Sequence, residues 1–119
     1  DVSQIHAEAL ADALDIAQAC AFHLRSVANQ SQFILSRDAL AAAVSADEAS
    51  PLLDTLQGLL ENERDLAQRL HAIQSRDSRI GFEASNHYFY VPVDLAEKVV
   101  NCSDLLDRWL PTQRAKRSQ

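Results

Sequence analysis

The sequence predicts an all-α domain, an antiparallel up-down bundle of three or four long helices with one irregular polar and aromatic loop before the last helix. Three observations lead there. From Asp1 to Ser50 there is neither Pro nor Gly. The 47% hydrophobic content comes mostly from Ala and Leu, while Gly occurs twice and Pro three times in 119 residues, a balance that favours helices over sheets. Apolar residues also recur at helical steps along most of the chain. The length suits one domain, 1–111, able to bury roughly two-thirds of the surface that its unfolded form exposes.

Helix one is marked by Leu10, Leu14, Ala17, Ala21, Leu24 and Ala28, which recur at steps of four and three. A second row, Ala13, Ile16, Cys20, Val27 and Ile34, lies beside the first, so this helix is expected to be central and covered on two sides. Ser36 to Asp38 is a place where it could bend, since Ser and Asp weaken a helix without ending it. The stretch Ser45 to Ser50 is the expected stop.

Ser50 followed by Pro51 reads as the start of helix two, because the serine hydroxyl can accept from a free N–H and proline gives up nothing at a first helical position. Leu52, Leu53, Leu56, Leu59, Leu60, Leu66, Ala67, Leu70 and Ile73 carry its apolar stripe. Gly58 costs it about 1 kcal/mol. Helix three opens at Pro92 with Asp94 and Glu97 in its first turn, where negative charge suits the helix dipole. Leu95, Val99, Cys102, Leu105, Leu106 and Trp109 are expected to face inward and Pro111 to end it. Beyond it, Arg114, Lys116 and Arg117 make 112–119 a basic tail that reads as frayed and disordered.

Several functional classes are disfavoured. A net charge of -6 argues against a general affinity for nucleic acid, which depends on Lys and Arg neutralising phosphates. No apolar run approaches the roughly 20 residues needed to span a bilayer, and no signal peptide opens the chain. Cys20 and Cys102 sit far apart inside helical patterns; they read as buried thiols rather than metal ligands, with a disulfide between packed helices left open. No cofactor is implied. The chain begins with Asp1 and contains no Met, which points to a processed product or an excised part of a longer protein.

Two groups of polar residues stand out. Glu63 falls in the middle of the helix-two stripe, and an unpaired buried charge is too costly to keep. His23 and Arg37, each three residues beyond an apolar position of helix one, are candidate partners, with Asn29 and Gln30 in the same network. The result is either a structural ion pair or the polar floor of a pocket between helices. His6 and His71 have no comparable company. The acid pairs Asp12 with Asp15 and Asp104 with Asp107 read as solvated faces.

The second group is the run from Arg76 to Val91, which loses the helical period. Arg79, Glu83, Asn86 and His87 supply donors and acceptors, and Phe82, Tyr88, Phe89 and Tyr90 supply aromatic area in one short span. Loops dense in both are often binding surfaces, and Asn, His, Tyr and carboxylate groups suit hydroxyl-rich ligands. Arg79, Glu83, Asn86, His87, Tyr88 and Tyr90 are the candidate ligand-binding residues. Against this, a long connection must also satisfy its own backbone groups.

The run Ser75 to Pro92, followed by Asp94 to Cys102, resembles the C-terminal helical region of large bacterial carbohydrate-active proteins of glycoside-hydrolase type. Asn29-Gln30 with Phe33 and Arg37-Asp38, and Glu61 to Leu70, also fit that region. The resemblance implies a non-catalytic accessory domain, exported or periplasmic, with carbohydrate or the parent's catalytic domain as partner. An alternative from the residues themselves is a stand-alone helical interaction or sensor module. A third, an independent hydrolase using Glu83 and His87, lacks an identifiable pair of carboxylates.

Overall fold

In the computed structural model, which describes residues 1–83, 87–88 and 91–117, helix one is a single unbroken rod. This α1 spans Val2–Ala42, 41 residues, about 60 Å at 1.5 Å per residue. Asp1 caps it, accepting from the Ser3 N–H at 3.2 Å. It does not bend at Ser36 to Asp38 because Ser36 is buried on the inner side and Arg37 and Asp38 satisfy one another outside at 2.9 Å.

The turn after α1 is shorter than the sequence suggested. The next helix, α2, spans Ala46–Arg76 with Ser45 as its cap. Ser45 Oγ accepts from the Glu48 N–H at 3.2 Å, and Glu48 Oε2 accepts from the Val44 N–H at 3.0 Å. This reciprocal capping satisfies two backbone donors and outcompetes the expected start at Ser50. Pro51 is therefore inside α2, where it forfeits one backbone hydrogen bond.

The third rod is composite. It begins as α3 (Pro92–Asp104), widens into a π turn (Leu105–Trp109) and resumes as α-helix over Leu110–Arg117. The Leu110 N–H reaches back to the Leu105 carbonyl. One extra residue in the turn gives the Pro111 ring room against the preceding turn, so the proline that was expected to end the helix is absorbed by a π turn instead.

The expected disordered tail is helical through Arg117. Arg114 Nη2 donates to Asp54 Oδ1 at 2.7 Å and to Gln57 Oε1 at 3.1 Å. Arg117 Nη2 donates to the Leu40 carbonyl at 3.1 Å. The last turn of α1 carries no basic residue of its own, and Arg117 supplies a cation at the Leu40 carbonyl, which also accepts from the Ala43 N–H at 3.4 Å.

The central rod is α2, which packs against both α1 and α3; the expectation that helix one is central is overturned. The row of α1 that meets α2 consists of Ala19, Phe22, Ser26, Asn29, Phe33, Ser36 and Leu40. The two rows chosen from the sequence lie outside: Leu10 is 62%, Ile16 51% and Leu24 68% exposed. Cys20, expected to be buried, is exposed with them, Cys102 is buried, and both are free thiols. A helix follows the side where its polar groups find partners, and α2 offers Asn62 and Glu63 to Ser26 and Asn29.

Two apolar clusters result. Leu40, Ala49, Leu53, Leu56 and Leu110 form one, with Phe33 and Trp109 packed against it. The other is Ala19, Leu70, Ile73 and Leu95 with Phe22 and Ile80. The molecule extends 67 × 26 × 24 Å.

Candidate functional site

Between the two apolar clusters lies a polar layer built by all three rods. Glu63 sits within the α2 stripe and is 7% exposed; Ser26 and Asn29, both 5% exposed, face it from α1. Asn29 Nδ2 donates to Glu63 Oε2 at 2.9 Å and to Asn62 Oδ1 at 2.8 Å. Ser26 Oγ donates to Glu63 Oε1. From α3, Lys98 Nζ pairs with the same carboxylate oxygen and donates to Ser26 Oγ at 2.9 Å. Gln30 Nε2 reaches Ser26 Oγ at 3.0 Å.

Both Glu63 oxygens are thus engaged, and Ser26 Oγ donates once and accepts twice. Oε1 takes both Ser26 and Lys98 and Oε2 takes Asn29, so the carboxylate joins α1, α2 and α3 at one point. The layer also fixes axial register, since sliding either neighbour by a turn would carry Ser26 and Asn29, or Lys98, away from Glu63 and leave a buried charge short of partners. Next to it, Cys102 is buried, and burial, helped by the Glu63 carboxylate, pushes its thiol upward from the usual range.

Part of the network expected from the sequence meets at Glu63. Asn29 and Gln30 belong to it, as expected. Arg37 does not, because Ser36 takes the inward position and the guanidinium turns to Asp38. His23 is exposed on α1. The cation that joins Glu63 is Lys98, which sequence reasoning missed. It falls between Leu95 and Cys102 at steps of three and four, the same signal that singled out Glu63.

A cleft of about 240 Å³ opens beside the polar layer, lined by Asn29, Gln30, Phe33, Ile34, Leu59, Leu60, Glu63 and Leu105. The sequence suggested a polar pocket floor here, but the cleft's lining is almost wholly apolar, and it is smaller than the roughly 300–1,000 Å³ of typical small-molecule sites.

The segment after α2 is anchored by charge. Asp77 grips Arg79 with both oxygens, Nε at 2.8 Å and Nη2 at 2.6 Å, and also accepts from the Arg79 N–H at 3.0 Å. Arg79 Nη2 reaches across to Asp12 of α1 at 3.2 Å, and Arg76 pairs with Asp15 at 2.7 Å. The two acids read as a solvated face are therefore the α1 end of a staple. The Arg79 guanidinium holds the Asp77 carboxyl down to about 2, below its ordinary 3.8. Gly81 follows at φ 90°, a backbone conformation that glycine tolerates best.

Beyond it the loop is not wholly irregular: Phe82–Glu83 and His87–Tyr88 pair as two antiparallel residues each, with Phe82 opposite Tyr88 and Glu83 opposite His87 in Cα register. Of the proposed ligand-binding residues, Arg79 is committed to two carboxylates, and Glu83 is brought level with His87. Tyr88 lies in the same short pairing. Asn86 and Tyr90, with Phe89, lie outside the described residues.

Among the described residues no three His, Cys, Asp or Glu side chains converge to hold a metal ion, and no described helix is long and apolar enough to cross a membrane. The fold and site define a class: an all-helical domain of three rods locked by one bonded polar layer, with an apolar face left outside. No family model, curated protein or solved structure matches this chain.

Proposed function

We propose that this chain is a non-catalytic helical interaction module whose binding surface is the outer side of α1. The observation that carries the reading is that α1 is inside out. Its inner row includes Ser26, Asn29 and Ser36, while Leu10, Leu14, Ile16, Leu24, Val27 and Leu35 stand about half exposed or more. Scattered apolar residues on a surface need no explanation, but a continuous apolar face along a helix marks an interaction site. The bonded carboxylate at Glu63 supports the absence of catalysis.

The rods are read here as an antiparallel up-and-down bundle. What supports this is the order of their contacts, Asp15 with Arg76 but Asn29 with Asn62, and Lys98 with Glu63 but Arg114 with Asp54.

The test is the variant Leu14→Glu with Leu24→Glu. Both positions are exposed, so circular dichroism and the denaturation midpoint should stay within about 0.5 kcal/mol of the parent, while binding of a hydrophobic dye to the chain, or association, is lost. A loss of several kcal/mol would mean that the face is packed inside the monomer and would overturn the reading.

A second reading places the module at the C-terminal end of a larger glycan-processing protein, with the segment 79–90 contributing to carbohydrate binding or docking on a catalytic domain. What favours it is the density of Asn, His, Tyr and acidic residues in that run and its resemblance to such regions. Calorimetric titration with a panel of oligosaccharides, beside Asn86→Ala and Tyr88→Ala variants, checks it. Heat of binding that both variants abolish supports it, and no binding by the parent removes the carbohydrate.

A further inference from the structure

We propose that the occupant of the outer face of α1 is the same face of a second copy of this chain, paired antiparallel about a two-fold axis near residues 22 and 23. The inference rests on the interaction-module reading and names the partner.

The outer face has a heptad pattern. Ala7, Leu10, Leu14, Ala17, Ala21, Leu24, Ala28, Ser31 and Leu35 follow one another at alternating steps of three and four, the spacing that keeps a seam facing a partner helix. Ala13, Cys20, Val27 and Ile34 run beside it at steps of seven. On the other flank Gln18, Arg25 and Gln32 recur at the same step, giving the seam one apolar and one polar rim. The inner row, which meets α2, carries more polar groups than this outer one.

The pattern also fits itself. With the axis near the helix midpoint, where overlap of the two copies is longest, Leu10 lies opposite Leu35 of the second copy, Ala17 opposite Ala28, and Ala21 opposite Leu24. At the centre each Leu24 packs on Ala21 of the other copy, Ala17 and Ala28 beside it let the two backbones approach, and Leu10 with Leu35 closes both ends. On the apolar rim Cys20 comes beside Val27 and Ala13 beside Ile34. The six large aliphatics on the seam and its apolar rim, Leu10, Leu14, Leu24, Val27, Ile34 and Leu35, all stand about half exposed or more, and with the alanines between them they offer an area on the order of the 800 Å² per partner that a standard interface buries.

Charge selects the antiparallel direction. Residues 1–24 hold Asp1, Glu8, Asp12 and Asp15 and no Lys or Arg, whereas the second half of α1 holds Arg25 and the pair Arg37 with Asp38. A parallel pair would set Asp1 and Glu8 alongside their own copies, while Asp12 and Asp15 are already paired with Arg79 and Arg76. The antiparallel pair brings Glu8 level with Arg37 and opposes the two helix dipoles.

The experiment uses the full chain. Sedimentation equilibrium should give a dimer, and Leu14→Glu with Leu24→Glu should weaken association at least tenfold at unchanged helicity. Val27→Cys should then form covalent dimers on mild oxidation, bridging to the native Cys20 of the second copy, and Cys20→Ser should abolish them. Within one helix these positions are about 10 Å apart along the axis and cannot bridge. A dimer that Val27→Cys does not cross-link overturns the antiparallel pairing. A monomer that binds hydrophobic dye, and loses it in the double glutamate variant, overturns self-pairing but keeps the interaction module. A monomer that binds no dye and loses helicity in that variant overturns both.

Discussion

Glu63 of α2 and Lys98 of α3 form an ion pair inside the polar layer, with the Glu63 side chain 9% and the Lys98 side chain 29% exposed. Lys98 is the only cation that the described contacts bring to that carboxylate, and Ser26 and Asn29 complete its shell. Lys98→Ala should therefore cost about 2 kcal/mol, less than the 3–5 kcal/mol of a fully buried pair because the lysine is partly solvated and the neutral donors remain. The urea midpoint at constant slope is the measurement. A change under about 0.5 kcal/mol would place the pair among surface ion pairs.

Two serines compete as the start of α2, and their substitution separates them. Ser45→Ala removes the cap that accepts from Glu48 and should destabilise the chain by about 1 kcal/mol. Ser50→Ala, at an exposed position inside the helix, should stay within about 0.5 kcal/mol. Thermal or urea unfolding of the two variants side by side decides it.

The Asp77 to Arg79 clamp gives a pH expectation with a definite sign. The folded carboxyl titrates at about 2 against an ordinary 3.8. A carboxyl depressed on folding adds stability above its unfolded value and loses it as pH falls towards the folded one. The clamp should hold at neutral pH and open between about pH 4 and pH 2. Carboxyl chemical shifts of Asp77 followed by NMR report it, and a midpoint near 4 would mean that Arg79 is not bound. Arg79 faces solvent while the Asp77 side chain is 14% exposed, and Asp77→Asn should loosen the segment and remove this titration.

Arg117 reaches the Leu40 carbonyl from the other end of the chain. Arg117→Ala should raise amide exchange in the last turn of α1 and the last helical turns of the chain, with a loss of about 1 kcal/mol. Exchange confined to the residues after Pro111 would show that α1 ends independently of it.

The sequence by itself determined the helical class, the extent of the helix-two stripe, the start of helix three at Pro92 and the place where polar residues interrupt an apolar row. These follow from period and composition, which act locally. Glu63 was recognisable because a carboxylate among leucines needs partners. Its cation was not found that way: spacing offered His23 and Arg37, whereas Arg37 turns outward to Asp38 and the cation at Glu63 is Lys98, brought in by α3.

The rotation of α1 is the main thing that the tertiary structure decided. Leu10, Leu14 and Leu24 make the more apolar row, and burial alone would turn them inward. The row of Ser26, Asn29 and Ser36 faces α2 instead, where Ser26 and Asn29 find their acceptor in Glu63, and the leucines are left on the surface of the monomer. The same holds at the end of the chain: Pro111 ends a helix by local rules, yet a π turn and the ion pair of Arg114 with Asp54 carry it on to Arg117. Local pattern fixes which elements form; which face each one hides depends on partners distant in sequence.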